Sequence, residues 1–172
     1  MDTTPILGCL RTNARVIREL VGGVSPDDAR RPGGDNAWSI VEIVAHLADE
    51  EAEDFRTRLR LTLEEPETAW PPIDPEGVAR ERMYNERDLT VELDRFTRER
   101  EASLAWLDTL GDPDWSRAHN HPRFGPIRAG DLLVSWADHD VLHIRQLARR
   151  VHELIIANGA PYATDYAGQI GQ

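Results

Sequence analysis

A chain of 172 residues is long enough for one domain to bury a core of its own. Hydrophobic residues at 40% and charged residues at 30% place it with globular rather than disordered proteins. The 31 Asp and Glu outweigh the 20 basic residues and leave a formal charge of −11, which argues against nucleic acid and anionic membrane surfaces as partners.

The opening residues, Met1-Asp2-Thr3-Thr4-Pro5, lack the basic start and apolar stretch of a secretory signal. No apolar run approaches the ~20 residues needed to span a bilayer, so the expected compartment is the cytoplasm. Periodicity predicts a first helix from about Ile6 to Val21, with Ile6, Leu10, Ile17 and Leu20 on one face. Cys9 lies on this helix as a small apolar residue. It is the lone cysteine, so neither an internal disulfide nor a thiolate metal site is available. Gly22-Gly23 ends the helix, and Pro26, Pro32, Gly33 and Gly34 keep the next stretch non-helical.

Ser39-Ile40-Val41-Glu42 has the form of a capping box, with Trp38 and Ile43 placed for a hydrophobic staple. The helix that follows is expected to run to about Leu63 and to bury Ile40, Ile43, Val44, Leu47, Phe55 and Leu59. Its acidic run, Asp49-Glu50-Glu51 and Glu53-Asp54, reads as a solvated face. Pro66, Pro71, Pro72 and Pro75 then force a linker.

A third helix is expected over about Pro75 to Leu110, with a break near Asn85. Leu89, Leu93, Phe96, Leu104 and Leu107 form its apolar face. The arginines here alternate with acids, as in Arg80-Glu81-Arg82 and Arg98-Glu99-Arg100-Glu101, and form no basic patch. A long connection covers about Gly111 to Arg128, and a fourth helix runs from near Ala129 to just before Asn158-Gly159. No strand-like alternation stands out. Four amphipathic helices without a sheet signal predict an all-α fold, a four-helix bundle. A single domain over 1–172 is expected, its core spanning about 6–157 and a polar tail covering 158–172. The connections after the second and third helices are long for tight turns, so they are expected to cross over or to shape a site.

The fourth helix carries His139-Asp140-Val141-Leu142-His143. Residues four apart share a helix face, with Cβ atoms ~5–6 Å apart, close enough for two imidazoles to converge on one ion. Leu132, Trp136, His139, His143 and Leu147 form one stripe, so the pair is directed toward the bundle interior. The bland alternative is a pair of histidines at the core's edge, each bonded to a carbonyl or to a carboxylate such as Asp138 or Asp140. His46 lies in the capped second helix on a polar strip with Glu42, Asp49, Glu50 and Glu53, where a bundle can bring it onto the other two. Three neutral imidazoles with an open position suit Zn²⁺, Ni²⁺ or Fe²⁺ rather than Mg²⁺ or Ca²⁺. A carboxylate such as Glu50 or Glu53 closing that position would favour a structural metal instead. His119 and His121 fall before the fourth helix, as exposed loop histidines or as part of a substrate pocket, and His152 reads as a surface residue.

Trp38-Ser39-Ile40-Val41-Glu42-Ile43-Val44-Ala45-His46-Leu47-Ala48-Asp49 resembles the signature helix of the DinB/YfiT-like superfamily. His139-Asp140-Val141-Leu142-His143-Ile144-Arg145-Gln146-Leu147 is similar to that family's closing motif, and Pro122-Arg123-Phe124-Gly125-Pro126 to its approach to that helix. The resemblance spans roughly Trp38 to Leu147. It implies a four-helix bundle, commonly a homodimer, with a divalent metal on His46, His139 and His143, Zn or Ni ahead of Fe. It further implies a small-molecule substrate and a thiol S-transferase activity using a low-molecular-weight thiol, the loops near His119 to Phe124 helping to form the pocket. A metal-dependent hydrolase and a non-catalytic, stress-associated metal-binding bundle are the alternatives.

Overall fold

A computed structural model describes residues 1–34 and 37–168. Its architecture is a four-helix bundle. The first rod is α1 (Thr4–Val21), followed by a single turn, α2 (Pro26–Ala29). The second is continuous through α3 (Ile40–Asp49), a π-helical segment (Glu50–Phe55) and α4 (Arg56–Glu64). The expected third helix divides into α5 (Pro75–Glu81) and α6 (Leu89–Thr109), and the last rod is α7 (Ala129–Gly159). The bundle is tied chiefly by α1 against α7 and by α3 against α6. No helix among the described residues is long and apolar enough to cross a membrane.

The break before α6 falls where expected. Met83 adopts a left-handed φ of 48°, Tyr84–Glu86 form a 3-10 turn, and the Asp88 side chain caps α6 by accepting from the Val91 N–H. The start of α3 also follows the sequence. Ser39 Oγ accepts from the Glu42 N–H, and Glu42 Oε2 accepts from the Ser39 N–H at 2.8 Å.

The apolar positions anticipated on the second rod, from Ile40 through Leu59, are all buried. The π-helical segment explains how. Along an unbroken α-helix the twelve residues from Leu47 to Leu59 leave the two about 120° apart around the axis. The one extra residue of a π turn takes back about 100°. Leu47 and Leu59 thus both face the bundle interior, Leu47 in a cluster with Leu93, Phe96 and Leu147 and Leu59 in one with Leu10, Leu133 and Trp136.

The stretch after α1, expected to be non-helical, forms the turn α2, with Pro26 at its first position and the Ser25 side chain accepting from the Asp28 N–H. Two further expectations need correction. Within the connection before α7, β1 (Ala118–His121) and β2 (Gly125–Arg128) pair antiparallel, from Ala118 opposite Arg128 to His121 opposite Gly125. Four-residue strands are too short to show alternation, and the turn depends on Gly125 at φ 72° and on His121 Nδ1, which accepts from the Arg123 and Phe124 N–H groups. The fold remains all-α apart from this ribbon.

The acidic run of the second rod is the other correction, because it is not a solvated face. Glu51 is 1% exposed and Asp49 5%. The reason is Arg100, which lies on the buried stripe of α6 rather than on its surface. Its Nε and Nη2 donate to Glu51 at 2.8 Å, Nη1 and Nη2 donate to Asp140 at 2.7 and 2.8 Å, and Nη1 also reaches the Leu10 carbonyl at 2.8 Å. All five guanidinium N–H bonds therefore have an acceptor. Trp136 Nε1 adds a bond to Glu51 at 2.9 Å, and Asn13 Nδ2 one to Asp140 at 3.3 Å. Asp49 is held likewise by Arg82, Arg95 and the Tyr84 hydroxyl. Buried charges persist only when paired and hydrogen-bonded in this way.

Candidate metal centre

His46 projects from α3, and His139 and His143 project from adjacent turns of α7. One nitrogen from each lies within 4.8 Å of the other two. The ring centroids are 5.5 Å apart for His46–His139, 4.9 Å for His46–His143 and 4.4 Å for His139–His143. Nε2 of His143 stands 3.1 Å from Nε2 of His139. Trp38, just before the α3 cap, turns its ring edgewise to His46 at 5.0 Å, and Phe55 sits 5.0 Å from His139.

Burial is the main cause that pushes His46 and His139 down to about 3, and the neighbouring imidazoles add to it. His143 is lowered too, again by burial, against a raising contribution from Gln146. The rings are therefore neutral at physiological pH, the state in which imidazole nitrogens carry lone pairs for a metal. His143 Nδ1 lies 2.8 Å from Gln146 Oε1. An amide oxygen only accepts, so this contact puts the His143 proton on Nδ1 and leaves Nε2 bare, facing the other two rings. Three convergent, neutral imidazoles, one with its tautomer fixed from behind, fit a divalent transition metal.

The other polar candidates are distributed differently from expectation. Asp140 points into the core onto Arg100, and Asp138 is exposed, so neither orients a ring of the triad; Gln146 does. Glu53 is taken by Arg82 at 2.8 and 2.9 Å. Glu50 Oε1 comes no nearer to His46 Nδ1 than 3.7 Å. Burial and the adjacent Asp54 carboxyl push Glu50 up to about 8.

One cavity is lined by His46 itself, and a second lies one residue away, against Trp38 and Gln146. A chamber of about 100 Å³ is lined by His46, Glu50, Asp54, Arg58 and Tyr84 and roofed by the proline-rich linker. An open cleft of about 650 Å³ lies between Trp38 and Gln146 on one side and Ile73, Asp74, Pro75 and Glu76 on the other. The linker was expected to cross over or to shape a site, and its Ile73-Asp74-Pro75 segment walls both spaces.

His119 and His121 line neither cavity. His119 is not an exposed loop residue: it is buried, stacks on Trp70 at 4.4 Å and places Nδ1 2.8 Å from the Pro66 carbonyl. It thereby ties the hairpin to the linker. His121 packs against Trp70 and Phe124. Cys9 is a free, exposed thiol, and His152 is partly exposed. Gln146 is the site residue that residue-by-residue reasoning passed over. Its signal was its spacing, three residues after His143 and on the same helical face.

A relative in Bacillus subtilis (strain 168), named "Putative metal-dependent hydrolase YfiT", is 26% identical over 139 residues, covering 78% of each protein. The solved structure of YfiT, described as a probable metal-dependent hydrolase with an unusual four-helix bundle topology, superposes with a TM-score of 0.72 at 23% identity over 87% of each chain. The family model of the DinB superfamily matches residues 10–147, a span that contains α3, the π segment and all three histidines. The chain belongs to the DinB superfamily.

Proposed function

We propose that the protein is a metal-dependent hydrolase holding one divalent ion on His46, His139 and His143. The observation that carries this reading is the composition of the convergent set. Three neutral imidazoles meet beside two cavities, and among the described residues no carboxylate joins their group. Three protein ligands with a vacant position is the pattern of catalytic rather than structural zinc sites. Zn²⁺ or Ni²⁺ suits the all-nitrogen donors ahead of Fe²⁺. When bound, such an ion supplies Lewis acidity, which polarises an electrophilic centre and makes a nucleophile available at neutral pH.

The chain's own residues bind, orient and enclose. Gln146 fixes the His143 tautomer. Trp38 and Phe55 exclude water from the flanks of His46 and His139. The cleft, at about 650 Å³, is sized for a small molecule, whereas the chamber of about 100 Å³ is below that size. In hydrolysis the oxygen of water forms the new bond as the bond to the leaving group breaks, and the leaving group takes a proton. Hydrolysis, the activity in the description of YfiT, takes precedence here over thiol S-transfer.

The test is metal content by mass spectrometry of tag-free protein, compared with His143→Ala, followed by hydrolysis of chromogenic esters after Zn²⁺ or Ni²⁺ loading. Near-stoichiometric metal that is lost in the variant, with metal-dependent turnover, supports the proposal. Protein that holds no metal even after incubation with either ion overturns it. Metal without turnover of any substrate favours the non-catalytic bundle.

A further inference from the structure

The two cavities differ in shape but agree in charge. The chamber wall contains five carboxylates and a single guanidinium, that of Arg58. Several of these charges are already committed. Asp49 and Glu53 are met by Arg82, Asp49 also by Arg95, and Asp54 by Arg58. Glu50, pushed up by burial and by the Asp54 carboxyl beside it, is no free carboxylate either. Asp74 has no guanidinium partner among the described residues and spends one oxygen on capping the Gly77 N–H. The cleft wall adds Glu76, whose exposed carboxylate meets Arg80 only at 3.9 Å, and contains no basic side chain.

The same cleft also has apolar wall residues. Trp38 and Ala37 face Ile73 and Pro75, and Ile73 is 56% exposed, a large aliphatic side chain left uncovered at the wall. This surface is continuous with the metal ligands: Trp38 touches His46, and Gln146 bonds His143. The cleft thus combines apolar wall and acidic rim, and two of its wall residues, Trp38 and Gln146, bear directly on ligand rings of the triad.

We infer that the cleft between Trp38 and Ile73–Glu76 is the substrate-binding subsite of the triad, and that its substrate is an apolar molecule bearing a protonated amine. The inference rests on the metal reading above. An apolar body is complementary to Trp38, Ile73 and Pro75, and a cation to Asp74 and Glu76. A substrate carrying a carboxylate or phosphate would meet like charge with no guanidinium to receive it.

The test uses cobalt-loaded full-length protein and three matched hydroxamic acids as metal-directed probes: benzohydroxamic acid and its 4-trimethylammonium and 4-carboxylate derivatives. Dissociation constants come from the visible spectrum of the bound cobalt and from calorimetry. At low salt the cationic probe is expected to bind tightest and the anionic one weakest, about tenfold apart. Glu76→Gln should narrow that gap. Ile73→Ser should weaken all three aromatic probes while leaving acetohydroxamic acid unchanged. Both side chains are exposed, so neither change threatens the fold. A cationic probe that binds no tighter than the neutral one, or an anionic probe that binds equally well, overturns the inference while leaving the metal site standing. A protein that takes up no cobalt overturns the metal reading and this inference with it.

Discussion

Two polar clusters lie inside the same bundle, built from neighbouring residues of the same two rods, and they have opposite characters. His46 and Glu51 share the second rod; His139 and Asp140 are consecutive on α7. Successive helical residues point about 100° apart and residues five apart about 140°, so one of each pair is turned toward the triad and the other toward Arg100. Around Arg100 every N–H has its acceptor, and the participants are 1–2% exposed. Around the triad, the only fixed outward bond among the described residues is that from His143 to Gln146, and the space beside it is open. A polar cluster that satisfies itself holds a structure together. One that leaves lone pairs converging beside a cavity is equipped to hold something else.

The sharpest break of this comparison is Arg100→Met. It would leave Glu51 and Asp140 as two buried carboxylates without their cation, and removing one partner of a buried ion pair costs about 3–5 kcal/mol. Urea unfolding should show a loss of that size. A loss below about 1 kcal/mol, the range of an exposed pair, would mean that the network is not a structural tie.

Acidification separates the clusters next. The unfolded chain protonates histidine near the ordinary value of about 6.5, whereas folded His46 and His139 are held down to about 3. Between those values the unfolded state binds more protons, so stability rises with pH. The contribution of each ring is intact above about pH 6.5 and is lost progressively as pH falls toward about 3. The slope for metal-free protein approaches about 1.4 kcal/mol per pH unit for each such histidine. Chemical unfolding in chelator at successive pH values should show it, and His46→Gln with His139→Gln should flatten it. An unchanged slope in that double variant would place the acid sensitivity elsewhere.

Much of the site was legible because its parts are local. The HxxxH spacing, the Ser39 capping box and the stripe through Trp136 and Leu147 all lie within one or two helical turns, where periodicity carries spatial meaning. His46 joined the pair only because two rods face each other, and the family motif conveyed that while composition did not. Arg100 was missed although Phe96, Arg100, Ser103 and Leu107 repeat at helical spacing, because charge was read as exposure. Glu51 was missed for the same reason, four residues beyond Leu47. The π turn and the hairpin left no comparable trace, since the former is a one-residue rephasing and the latter has strands of four residues.

A smaller change tests the open cluster alone. Gln146→Leu removes the acceptor that fixes the His143 tautomer without touching a ligand ring, and loss of such an outer partner lowers metal affinity by about 10–100-fold. Competition with a chromogenic chelator measures it. The unfolding midpoint of metal-free protein should stay nearly unchanged, because Gln146 lies outside the Arg100 network. Unaltered affinity would show that the 2.8 Å contact orients nothing.

The smallest expected effect lies at the point the two clusters share. Ser39 starts the rod that carries both His46 and Glu51; its hydroxyl caps α3 and donates to Asn85 Oδ1 at 2.7 Å. Ser39→Ala removes the cap, at a cost of about 1 kcal/mol. If α3 is held in place by its buried face, with Ile40, Ile43, Val44 and Leu47 all nearly inaccessible, the cost should appear as a lower unfolding midpoint with metal affinity preserved. A parallel loss of affinity would mean instead that the cap sets the position of His46. The difference between the clusters would then arise from the start of the helix rather than from which side of it each residue faces.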